Sequence, residues 1–218
     1  FITVCIFIII AALCRNIGRE IPGRFLSLLR SLIYVGLFSY WLISVRRRVM
    51  QAAARRLLSS IAALMLFWIT ERTVKYFFVS DPNVIRYLWY FYYLPMLLIP
   101  FLSVPTALSL GKPENYRLPR WAVLLFLPVL ALTALVITND MHQFVFTFPK
   151  TAEIWTDTDY SYNTGYFIIL GVMLICAISA IGIMIAKCRG SRDKRAVWLP
   201  LLFIFAAVCY AVLYILYI

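Results

Sequence analysis

The chain has 218 residues, of which 64% are hydrophobic and 17% aromatic, with a mean hydropathy of +0.89. A soluble domain of this size has too little interior to hide that much apolar surface, so composition points to a bilayer as the missing apolar solvent. The formal net charge of +12 does not suggest nucleic acid, because the basic residues sit at the ends of apolar runs, where they act as topology signals and contacts for anionic lipid.

In chain order, apolar segments run over about 1–14, 26–45, 57–79, 87–108, 121–138, 164–186 and 197–218. A spanning helix needs about 20 apolar residues, so these predict an all-α integral membrane protein, a bundle of about seven transmembrane helices in one domain. Continuous apolar runs without strict alternation exclude a β-barrel. The first run starts at Phe1 and is shorter than a span, and the last stops at Ile218 without a polar flank, so truncation at both ends is expected. Cys5, Cys14, Cys176, Cys188 and Cys209 show no CxxC spacing and read as small apolar residues of spans and span ends.

Loops alternate sides. One set, 46–56, 109–120 and 187–195, carries thirteen Lys and Arg; the opposite set carries five, three of them in the dissenting cluster Arg15, Arg19 and Arg24. Basic loops stay in the cytoplasm, so the first set is expected inside. The loop 139–163 is expected outside, where Asp140, Glu153, Asp157 and Asp159 outnumber Lys150.

The third span carries Glu71, Arg72 and Lys75 in its outer half. Each charge there costs about 2.5–3.5 kcal/mol, so it needs a partner or a cavity. Two readings stand. Glu71 pairs with Lys75 one turn on while Arg72 snorkels outward, or Glu71 or Arg72 lines an outward cavity, with Arg30 as a further candidate partner for Glu71. The fourth span opens on Tyr87-Leu88-Trp89-Tyr90-Phe91-Tyr92-Tyr93, either a headgroup-level aromatic belt or a wall that stacks a ligand. Pro95, Pro100 and Pro105 make that helix bent or locally unwound, as a hinge or as a fixed shape.

The densest polar cluster is Thr138-Asn139-Asp140-Met141-His142-Gln143 after the fifth span, and His142 is the sole histidine. The cluster is either a solvated loop or the rim of a small outward pocket, which Trp155, Tyr160, Tyr162 and Tyr166 would cap or merely flank. The candidate ligand-binding set is therefore Glu71, Arg72, Tyr90, Tyr93, Asn139, Asp140, His142 and Gln143. No metal site, cofactor or catalytic residue is expected: GxxxxGK[ST], HExxH and GxSxG motifs are missing, and the last span has no lysine for a retinal Schiff base.

Three stretches carry a family resemblance: Tyr87 to Met96, Leu108-Ser109-Leu110-Gly111-Lys112-Pro113-Glu114-Asn115, and Thr138 to Gln143. They resemble the N-terminal seven-helix membrane region of bacterial histidine kinases. The resemblance implies a sensor joined to cytoplasmic signalling domains that this chain does not contain, and it transfers no catalytic residue. The expected function is signal input; the alternative is a small-solute transporter or channel, against which the proline-rich fourth span weighs because it has no matched counterpart. A membrane-embedded enzyme finds no set of catalytic groups. The expected partners are the lipid bilayer, an unidentified small ligand or membrane signal, the linked signalling domains of a parent protein and a second copy as a homodimer, with no nucleic acid.

Overall fold

The computed structural model describes residues 24–114, 116, 118, 124, 126–149 and 154–188. The expected spans 1–14 and 197–218 lie outside the described residues. So do most of the basic cluster at 15–24, Cys5, Cys14 and Cys209, the basic residues of 189–195, and Lys150 and Glu153.

Helix α1 covers Arg24–Arg48 and ends on Arg46, Arg47 and Arg48, cations placed where the helix dipole is negative. Helix α2 covers Ala52–Phe77. Asp81 caps the next helix by accepting from the amides of Asn83 (2.8 Å) and Val84 (3.3 Å), and Pro82 takes the first helical position, where no amide is needed. That helix, α3, covers Pro82–Phe91, and α4 follows over Tyr93–Ser109. Together they make one apolar span, Pro82–Ser109. Helix α5 covers Phe126–Ile137, α6 is the single turn Asn139–His142, and α7 covers Thr164–Cys188. Between α6 and α7 two short antiparallel strands, β1 (Phe146–Thr147) and β2 (Ser161–Tyr162), pair Phe146 with Tyr162 and Thr147 with Ser161.

The described residues hold four helices long and apolar enough to cross a membrane, and α5 is shorter, about 18 Å at 1.5 Å per residue. The α3–α4 span is the central one: 44% of its most apolar stretch is buried, against 6% for α1. Helix α4 packs most extensively on α7 and also meets α2 and α5, while α1 packs on α2. Large apolar side chains face outward, among them Leu32, Ile43, Leu127, Ile175 and Ile178. In water such a surface would be a liability; against lipid tails it costs nothing.

The central span is interrupted at one place, just before its first proline. Pro95 has no amide for the carbonyl of Phe91, and the helix is interrupted at Tyr92, whose N–H donates three residues back to Trp89 (3.2 Å). Beyond it the helix runs through Pro100 and Pro105, with Ser103 and Thr106 hydroxyls folded back onto the carbonyls of Pro100 and Leu102.

Side chains from other elements close the far end of α4. Gln51 donates to the carbonyl of Ser109 (2.8 Å), and the Lys187 ammonium donates to the carbonyls of Leu108 and Leu110. These are orphan acceptors at a helix C-terminus, where a cation is doubly favoured. Gly111 then takes φ +73°, the left-handed turn that ends the helix. Residues near 51, 109–111 and 187 thus share one end of the bundle, while the ends of α2 and α5 and the start of α3 meet the 139–163 loop at the other.

Candidate functional site

The loop after α5 is tied to the bundle by a polar network centred on Asp140. Arg86, on α3, donates through Nε (3.2 Å) and Nη2 (2.9 Å) to one Asp140 oxygen, and through Nη1 to the carbonyl of Trp155 (2.7 Å). The Tyr90 hydroxyl donates to the other Asp140 oxygen at 2.6 Å. Arg86 and Tyr90 stand four apart on α3 and therefore share a face. Arg86 is 6% exposed, a desolvation that only this full set of partners can offset.

Asn139 is fully buried and spends its side chain on the backbone. Its Oδ1 accepts from the amides of Val145 (3.0 Å) and Phe146 (2.9 Å), and its Nδ2 donates to the Phe146 carbonyl (2.9 Å). That folds the loop back so that Phe146 enters an aromatic core. Trp89, Tyr90, Tyr93 and Tyr160 surround it, with ring centroids from 4.5 Å (Trp89) to 6.1 Å (Tyr90). Phe148 stacks on Trp155 at 5.1 Å, and Tyr162 stacks on Tyr166 at 4.0 Å. Burial, with a hydrogen bond between the Tyr160 and Tyr162 hydroxyls, pushes the Tyr160 hydroxyl well above its usual range and keeps it neutral. Gly165 belongs to this closure: a Cβ there would lie 2.9 Å from the Phe144 carbonyl oxygen, closer than such contacts allow.

His142 and Gln143 form the turn rather than a pocket wall. The Nδ1 of His142 accepts from the Phe144 amide (3.0 Å), so Nε2 carries the hydrogen shared with Thr138 Oγ1 (3.2 Å). Gln143 adopts φ 48°, and its Oε1 accepts from the Phe148 amide (3.3 Å).

The structure thus brings Tyr90, Asn139 and Asp140 together, with Tyr93 behind them in the aromatic core. It adds Arg86, which the sequence reading counted only as a loop charge. The signal for it was the spacing Arg86, Tyr90, Tyr93, one stripe of a helix. Glu71 and Arg72 form no hydrogen bond or ion pair with this group among the described residues. The expected Glu71–Lys75 ion pair is replaced: Lys75, 3% exposed, bridges to Asp157 in the loop and lies over the rings of Tyr76 (4.9 Å) and Tyr92 (5.4 Å). A carboxylate on the loop reaches the lysine head better than one bound to its own helix. Glu71 is buried, and its Oε2 has no partner among the described residues. Nor does Arg30 pair with Glu71. It lines a cavity of about 360 Å³ between α1 and α2, and Arg72 lines the same cavity. No cluster of three potential metal ligands occurs among the described residues.

The geometry defines a helical membrane bundle with a folded polar and aromatic cap at one end. Residues 25–218 match the family described as the N-terminal 7TM region of histidine kinase, and the chain belongs to that family. It is a membrane region and not the catalytic domain of such a kinase. No curated protein and no solved structure matches it.

Proposed function

We propose that this chain is the signal-input module of a sensor histidine kinase, multi-pass in the plasma membrane. In this reading the loop 139–163 faces outside and 46–56, 109–120 and 187–195 face the cytoplasm, where linked domains receive the signal. Family membership supports the setting. The observation that carries the reading is mechanical: the cap is fastened to α3 by Arg86–Asp140 and to α2 by Lys75–Asp157, and it leads directly into α7. A ligand or membrane change that moved the cap would therefore bias three spans at once, as a two-state relay requires. The sequence-derived ligand set, Glu71, Arg72, Tyr90, Tyr93, Asn139, Asp140, His142 and Gln143, narrows here to Asp140 and Tyr90 as the group through which a signal would act.

The test uses the parent kinase in membranes. Lys75→Cys with Asp157→Cys allows the cap to be locked on α2 by oxidation and released by reduction. Locking is expected to change autophosphorylation in the oxidised state alone, and equal rates in both states would overturn the reading. Sidedness is tested by labelling single cysteines with an impermeant reagent in intact cells. Position 158 should label and position 191 should not.

A further inference from the structure

The cavity between α1 and α2 has a polar mouth and an apolar floor. Arg30, Tyr34 and Arg72 line it together with Trp68, while Phe38 and Met65 lie deeper. Arg30 is six residues into α1 and Arg72 five residues before the end of α2. At 1.5 Å per residue both sit about 8–9 Å inside their helix ends, the depth of the headgroup and glycerol region. Phe38 and Met65 lie roughly 10–12 Å further in, at the level of acyl chains.

Arg30 is half-buried and Arg72 exposed, so the cavity carries two positive charges, one from each helix, open to an anion entering from outside. Among the described residues neither forms an ion pair; the two ion pairs present use Lys75 and Arg86. Glu71 is adjacent to Arg72 in sequence but is turned about 100° around α2 and is buried. Arg72 lies over the Tyr76 ring at 5.8 Å, and among the described residues its guanidinium makes no hydrogen bond. The Tyr34 hydroxyl and the Trp68 indole N–H add two donors without a hydrogen-bond acceptor among the described residues.

We propose that this groove is a binding site for a phosphoryl anion, the phosphate of a membrane phospholipid, clasped between Arg30 and Arg72 with an acyl chain along Phe38 and Met65. Arginine forks match phosphate oxygens in pairs, and the apolar floor favours a lipid over a free ion. The site stands whether or not the chain relays a signal.

The experiment uses the purified full chain in detergent. Binding of phosphatidylglycerol, phosphatidylcholine and inorganic phosphate is measured separately by thermal shift and by retention in native mass spectrometry. Phosphatidylglycerol should bind and stabilise the wild type. Arg72→Gln should weaken it about tenfold, and Arg30→Gln with Arg72→Gln should abolish it. Arg46→Gln, at the other end of α1, should leave it unchanged. Arg72→Lys should fall between, because it keeps the charge and loses the fork. Should the double variant not fold, Ser31→Phe, which places a phenyl ring in the cavity that Ser31 also lines while keeping both charges, should also abolish binding. A response to inorganic phosphate and not to the lipids would overturn the lipid source. Undiminished phosphatidylglycerol binding by the double variant or by Ser31→Phe, or no binding of any probe to the wild type, would overturn the site.

Discussion

Two polar regions at the same end of the bundle are built on opposite terms. In the cap, both Asp140 oxygens, all three Arg86 nitrogens and both Asn139 side-chain atoms have partners. In the α1–α2 groove two arginines line a cavity that no carboxylate lines, and neither forms an ion pair among the described residues. The difference teaches that density of polar residues in the sequence does not measure how many of them are left without partners in the fold. A dense cluster can consume itself in its own hydrogen bonds, and the open valence then lies where charge is sparse. Glu71 stands between these cases, buried beside a lysine that pairs with the loop's Asp157, and its Oε2 has no partner among the described residues.

The comparison breaks most visibly at Arg86. Arg86→Ala leaves Asp140 without its cation and the Trp155 carbonyl without a donor, so it should cost about 3–5 kcal/mol. Unfolding in detergent measures this, and a double-mutant cycle with Asp140→Ala should show coupling between the two sites. Independent effects would mean that the cap is not held by this pair. Asn139→Ala comes next. It strands two buried amides and one carbonyl, at roughly 1 kcal/mol each, so a loss of about 2–3 kcal/mol is expected, with faster hydrogen exchange at Val145 and Phe146. At the other extreme, Arg72→Gln in lipid-free detergent should change stability by less than about 0.5 kcal/mol, because it removes a charge that has no ionic partner among the described residues. A large loss there would show that Arg72 is a structural residue like Arg86.

Much of this was written in the chain itself. A bilayer penalises every unpaired backbone amide, so apolar runs become helices wherever they fold, and composition and run length fix that outcome. The alternation of the loops between the two ends follows from the order of the spans; charge asymmetry adds an expectation of which end faces the cytoplasm. The family could be recognised in Tyr87 to Met96 and Thr138 to Gln143, and the match over residues 25–218 bears it out. The prolines pointed to a bent or locally unwound fourth span, and only the fold located an interruption, at Tyr92.

Which charge meets which was decided by tertiary structure alone. Spacing along one helix offered Glu71 to Lys75, yet the loop brought Asp157, 82 residues away, to that lysine. Asn139 and His142 have the donors and acceptors of a ligand site, and they serve the backbone because the loop turns back on them. Arg30 and Arg72 come to share a cavity only because α1 packs on α2 in one register. Helix formation is local and can be read from periodicity; pairing is a contest among all groups within reach, and reach exists only once the helices have packed.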